Sequence, residues 1–170
     1  HVMGHEAAGV VAAVGAEVTG WEAGDPVVVC PLDSCGTCPA CAAGYSHLCH
    51  ALRFLGIDAP GALQEMWTVP AHALRRVPAG VSLARAALVE PLAVACHAVR
   101  RGQASAGGRG VVLGCGPIGL LVGLVLRYEG TEVLMCDVNA GRLQLASVLG
   151  FPTSPAQGGA LADRVAEWTA

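Results

Sequence analysis

The chain has 170 residues, 54 % of them hydrophobic, with a mean hydropathy of +0.54, which supplies enough apolar surface for a packed core. Only 14 % of residues are charged and the formal net charge is −3, so no basic field exists to hold a nucleic acid or an anionic membrane, and neither is expected as a partner. No signal peptide opens the chain and no apolar run reaches the ~18 residues of a spanning helix, so the expected address is the cytoplasm.

The first hundred residues read as β-rich. Short apolar runs, Gly9 to Val14 and Val27 to Cys30, are broken by turn pairs such as Gly24-Asp25 and Pro60-Gly61, as in a barrel-like domain. Between Cys35 and Cys49 the chain carries Gly36, Pro39 and Gly44, and neither helix nor strand is expected to persist there. From Ser82 the texture turns Ala-rich and helical on either side of Glu90-Pro91, and a polar, Gly-rich break runs from Gly102 to Gly110. A βαβ pattern follows: strand Val111 to Leu113, a glycine turn, helix Ile118 to Tyr128, strand Val133 to Cys136, and a helix from Gly141 to Leu149. The tail, Leu161 to Thr169, fits an amphipathic helix with Leu161, Val165 and Trp168 on one face. Only two strands are expected in this sheet, which would leave an apolar edge uncovered.

The strongest chemical signal is Cys35-x2-Cys38-x2-Cys41-x7-Cys49. Four thiolates in one small loop can converge tetrahedrally on Zn²⁺, and the metal can order a loop that has no core of its own. Two disulfides or four free buried thiols are the alternatives; the two-residue gaps and the polar loop favour the metal. Cys30, Cys96, Cys115 and Cys136 read as core thiols. His50, beside Cys49, is the one histidine of the loop region placed to substitute for a ligand.

Gly114-x-Gly116-x-x-Gly119 follows an apolar strand and opens an apolar helix, the context of a dinucleotide-binding turn. Gly114 permits the tight turn, Gly116 lets a pyrophosphate approach the backbone, and Gly119 allows helix and strand to pack closely, with Pro117 and Ile118 completing the turn. Asp137 ends the next strand, where a carboxylate can accept ribose hydroxyls and repel a 2′-phosphate, so NAD is expected over NADP. His5-Glu6, within Gly4-His5-Glu6-Ala7-Ala8-Gly9, pairs a metal-binding imidazole with a carboxylate, although such a pair by itself also suits an exposed loop or strand end. Glu90 by itself suits a helix end, yet it stands amid apolar residues, where a cation or hydrogen bonds must offset its desolvation.

Taken in order, these segments resemble the zinc-dependent medium-chain dehydrogenase family, especially its sorbitol, threonine and butanediol dehydrogenase branch. The likeness is carried by Gly4-His5-Glu6 and its flanks, Gly24-Asp25-Pro26-Val27-Val28, the four cysteines, Glu90-Pro91-Leu92-Ala93-Val94, the glycine turn, Asp137, and Arg142-Leu143-x-x-Ala146-x-x-Leu149-Gly150. The resemblance implies an α/β chain, with a partial GroES-like β-rich catalytic domain over residues 1–101 and the first part of a Rossmann dinucleotide-binding domain over residues 102–170. It implies His5 as a catalytic-zinc ligand, Glu6 as a ligand or exchangeable carboxylate, Glu90 as a ligand or partner of zinc-bound water, and Arg142 near the adenosine end of the cofactor. Family members carry a further cysteine ligand and a proton-relay hydroxyl upstream of Gly-His-Glu. The chain is therefore expected to be truncated at both ends and inactive as an isolated piece.

The expected parent is an oxidoreductase that uses Zn²⁺ and NAD to transfer hydride from a small secondary alcohol, polyol or amino alcohol, as a homodimer or homotetramer. The alternative is a non-catalytic, zinc-stabilised nucleotide-binding fragment with an interaction or regulatory role.

Overall fold

The computed structural model describes residues 1–157 and 160–169. The chain folds into two compact units, His1–Glu90 and Pro91–Ala170.

In the first unit β1 (Ala8–Val10), β2 (Pro26–Val29) and β5 (Leu74–Arg76) form an antiparallel sheet in the order β1-β2-β5. Val28, opposite Ala8 on one side and Arg75 on the other, is buried with Val77 and Ala86 in a small core. A second ladder, β3 (Leu32–Asp33) with β4 (Arg53–Phe54), brackets the cysteine loop. That loop contains more regular structure than its composition suggests: one helical turn, α1 (Pro39–Ala42), and a 3₁₀ turn, Ser46–Leu48. Proline at the first helical position presets φ and lacks an amide that would go unpaired there, so Pro39 starts a turn that the sequence reading took it to prevent. α2 (Leu83–Ala86) is capped by the Ser82 hydroxyl, which accepts the Arg85 amide.

α3 (Val89–Arg101) begins before Glu90-Pro91 and includes both in its first turn, where proline is tolerated and a carboxylate faces the positive end of the helix. From Pro91 onward this helix belongs to the second unit, because Ala95 and Val99 pack into that unit's core with Val112, Val133, Met135 and Phe151.

The second sheet is parallel, β6 (Arg109–Leu113), β7 (Glu132–Asp137) and β8 (Thr153–Pro155), in that order. The third strand corrects the expectation of two. Thr153-Ser154-Pro155 is short, polar and ends in proline, so it carries no strand signal of its own, yet pairing to β7 recruits it at an edge where proline is allowed. α4 (Pro117–Tyr128) connects β6 to β7. α5 (Ala140–Val148), capped by Asn139, leads from β7 towards β8. It closes with the amides of Gly150 and Phe151 donating to Ser147 and Ala146, and Gly150 takes φ +82°. β7 is central, and Val133 to Asp137 are all buried, as a parallel strand covered on both faces requires. α6 (Ala160–Thr169) packs on β6 and β8. Among the described residues no helix is long and apolar enough to cross a membrane.

Candidate functional site

Cys35, Cys38, Cys41 and Cys49 converge so that their sulfurs all lie within 4.8 Å of one another. The Cys38–Cys41 and Cys35–Cys49 sulfur pairs stand 3.5 Å apart, far beyond a disulfide bond. A tetrahedral Zn²⁺ with bonds of about 2.3 Å separates its sulfur ligands by roughly 3.8 Å, so the four residues fit that ion. Backbone amides also point inward: those of Cys38, Cys35 and Ala51 donate to the sulfurs of Cys35, Cys49 and Cys49 at 3.4 Å each.

This wiring polarises the thiols. The amides of Thr37 and Cys38 and the Cys49 thiol bring Cys35 down to about 6, and the amides of Cys41 and His50 lower Cys38. Burial and the neighbouring Cys38 sulfur push Cys41 up to about 11. Backbone amides thus favour the thiolate forms of Cys35 and Cys38, and a divalent cation is what would let all four ionise together. His50 is exposed and offers the cluster its amide, while the sulfurs of the four cysteines make the group.

At the neck of this lobe Asp33 is buried and bridges Arg53 at 2.6 Å and His72 at 3.3 Å. Sequence reading missed this trio, because its members are far apart along the chain and none belongs to a motif.

A second convergence joins His5, Glu6 and Glu90, one ligand atom from each lying within 4.8 Å of the others. His5 is half-buried, and its ring meets Phe54 edge to face at 4.8 Å. Phe54 carried no signal in the sequence. It is paired opposite Leu32 in the short ladder that closes the lobe, so the same ladder that supports the four cysteines also steadies His5. One nitrogen and two carboxylates form a donor set that suits Zn²⁺ and leaves coordination room, unlike the closed four-sulfur group.

In the second unit Gly114 takes φ +105°, a conformation that excludes other side chains. A Cβ on Gly119 would strike the Gly114 carbonyl oxygen, whereas a Cβ on Gly116 would meet nothing within 4 Å. The turn is therefore tight at Gly114, open at Gly116 and closely packed at Gly119. Pro117 opens α4 without an amide, and Ile118 and Gly119 supply first-turn amides that have no acceptor within the helix. Asp137 ends β7 with its carboxylate held below the usual range by the amides of Cys115 and Asn139, with Arg142 nearby at 3.9 Å.

Residues 1–79 match the alcohol dehydrogenase GroES-like domain family. The 2-dehydro-3-deoxy-L-galactonate 5-dehydrogenase of Pseudoalteromonas atlantica is 50 % identical over 167 residues, covering 98 % of this chain and 49 % of that protein. The L-threonine 3-dehydrogenase of Bacillus velezensis is 39 % identical over 150 residues, covering 88 % of this chain and 43 % of that one. The first unit thus carries the alcohol dehydrogenase GroES-like domain, and nearly the whole chain is similar to alcohol and polyol dehydrogenases of the zinc type. An alcohol dehydrogenase from Escherichia coli CFT073, solved with NADH, shares this chain's fold with a TM-score of 0.88 at 33 % identity, covering 97 % of this chain and 50 % of that one. The chain spans about half the length of the curated relatives it matches.

Proposed function

We propose that the protein is a zinc-dependent dehydrogenase that passes hydride from a secondary alcohol of a polyol, sugar acid or amino alcohol to NAD. The observation that carries this reading is the meeting of His5, Glu6 and Glu90 in a nitrogen–oxygen group distinct from the four-cysteine group. A closed thiolate site serves structure; an open nitrogen–oxygen site can admit a substrate oxygen. The 50 % likeness to a sugar-acid dehydrogenase favours a deoxy sugar acid as the first substrate to try.

In this reading Cys35, Cys38, Cys41 and Cys49 hold the structural zinc, and His5, Glu6 and Glu90 hold the second. When bound, that second metal supplies Lewis acidity at the substrate hydroxyl and NAD supplies the hydride acceptor. The protein's own contribution is position. Phe54 fixes the His5 ring, and the first turn of α3 carries Glu90. Gly116 leaves room for the pyrophosphate, the amides of Ile118 and Gly119 receive it, and Asp137, with Arg142 beside it, faces the adenosine ribose and disfavours a 2′-phosphate. A reducing compartment, the cytoplasm, suits eight free cysteines, and family likeness supports a homodimer or homotetramer.

The test is steady-state formation of NADH by the full-length protein with sugar acids, polyols and threonine. Activity should fall on chelation, favour NAD over NADP, and drop about a hundredfold or more in His5→Ala and Glu90→Gln. Absence of metal-dependent turnover with either dinucleotide would leave the non-catalytic reading in its place.

A further inference from the structure

Asp137 is only 4 % exposed. A carboxylate so buried is costly unless its oxygens are paired or hydrogen-bonded, and here both are engaged by main chain. Oδ2 accepts the Cys115 amide at 2.6 Å and Oδ1 accepts the Asn139 amide at 2.7 Å. The Arg142 guanidinium is 3.9 Å from Oδ2. Cys115 is the residue between the first two glycines of the turn, so a charge at the end of β7 grips the backbone that leaves β6.

The rest of the turn is fastened around this point. The Gly114 amide donates to the Cys136 carbonyl at 2.7 Å, and the Gly114 carbonyl lies against the Cα of Gly119 with no space for a side chain. With its amide committed to Asp137, Cys115 is drawn inward and 1 % exposed. The open side of the turn is left to Gly116 and the first amides of α4.

We infer that Asp137 is a positioning residue for the glycine turn, holding Gly114–Gly116 in the shape that receives a pyrophosphate whichever dinucleotide carries it. This rests on the reading of the turn as a dinucleotide site and adds a second role to the carboxylate. A group that only selected between dinucleotides would act on the ribose; this one also acts on the protein. Hydrogen bonds from backbone amides stabilise the ionised carboxylate, so the contact is of the strong, charge-assisted kind.

Two measurements on the full-length protein test this, using Asp137→Ser and Asp137→Asn. The first is the Kd of NADH and of NADPH. Loss of the charge-assisted bond should weaken NADH by about tenfold or more in Asp137→Ser and by less in Asp137→Asn, which keeps an acceptor for the Cys115 amide, and should weaken NADPH less than NADH because the same change removes the charge that repels a 2′-phosphate. The second is amide hydrogen exchange without nucleotide. Cys115 should exchange at least about tenfold faster in Asp137→Ser, while Met135, whose amide donates to the Pro152 carbonyl, keeps its protection. Unchanged Cys115 protection would overturn the inference, as would unchanged NADH binding. If the unsubstituted protein binds neither dinucleotide, the reading of the turn falls, and the exchange of Cys115 still decides whether Asp137 holds it. Should Asp137→Ser fail to fold, Asp137→Asn carries both comparisons.

Discussion

Gly61 governs the position of a side chain it does not possess. A Cβ on Gly61 or on Gly56 would overlap the carbonyl oxygen of Gly4, the residue before His5. The backbone there is laced together: the amides of Gly61, Ala62 and Leu63 donate to the carbonyls of Val2, Gly4 and Met3 at 2.8, 2.8 and 3.0 Å. Gly61→Ala must push the His5 segment aside, at a cost on the order of 1–3 kcal/mol for an overpacked site. The expected outcome is a protein that keeps its four-cysteine zinc but loses metal at His5, Glu6 and Glu90, read as a fall in zinc stoichiometry. Gly9→Ala is the control, since a Cβ there meets nothing within 4 Å and its φ lies outside the left-handed region. Equal zinc content in the two variants would count against Gly61 as the support of His5. The pair Gly4-His5 stands out in the sequence as a candidate ligand segment, whereas its dependence on Gly56 and Gly61 does not, because backbone contact between distant segments leaves no local pattern.

Among the elements, the cysteine lobe is the one whose order depends most on something other than a core. Its closing ladder pairs only Leu32 with Phe54 and Asp33 with Arg53, too few residues to hold by themselves, and its helical turn α1 buries no residue. The Asp33, Arg53 and His72 trio braces the neck, but Arg53 and His72 are 62 % and 60 % exposed, so solvent screening limits what those pairs contribute. Metal binding is therefore the larger ordering term. Cys38→Ser should release the tightly held zinc and expose the lobe to proteolysis, whereas His5→Ala should leave that zinc in place. Metal analysis together with limited proteolysis checks this, and loss of the tight zinc only in His5→Ala would reverse the assignment of the two sites. The spacing of the cysteines was enough to identify this lobe; its short helix and ladder were not, since each is too brief to show a period.

For the whole molecule, the two compact units carry separate burdens. The first has a small core around Val28, Val77 and Ala86 and contains both candidate metal groups. The second has the larger core, built around a central strand in which Leu134, Met135 and Cys136 are fully buried. Metal and dinucleotide should accordingly stabilise different parts of the chain, each by binding the folded form of its own unit. Hydrogen exchange should show chelation accelerating amides of the cysteine lobe, such as Tyr45 and Leu48, while β7 stays protected. NAD should slow exchange in the glycine turn and leave the lobe unchanged. A uniform response of both units to either treatment would show that they unfold as one.

What the sequence determined by itself is whatever depends on neighbours along the chain. The intervals between Cys35, Cys38, Cys41 and Cys49 determine a compact chelating loop, because a few intervening residues cannot carry the thiols apart. Gly114 and Gly119 determine a tight turn from strand into helix, because the first takes a positive φ and the second has no room for a Cβ, while Gly116 stays open between them. The apolar run of β7 determines a strand covered on both faces. Tertiary structure alone decided the rest. It brought Glu90 to His5, set Phe54 against the imidazole, drew Thr153–Pro155 into the sheet beside β7, and turned the Asp137 carboxylate onto the Cys115 amide. Each of these joins groups that are remote in the chain, and their meeting depends on how strands register and helices pack; the spacing between them carries no trace of it.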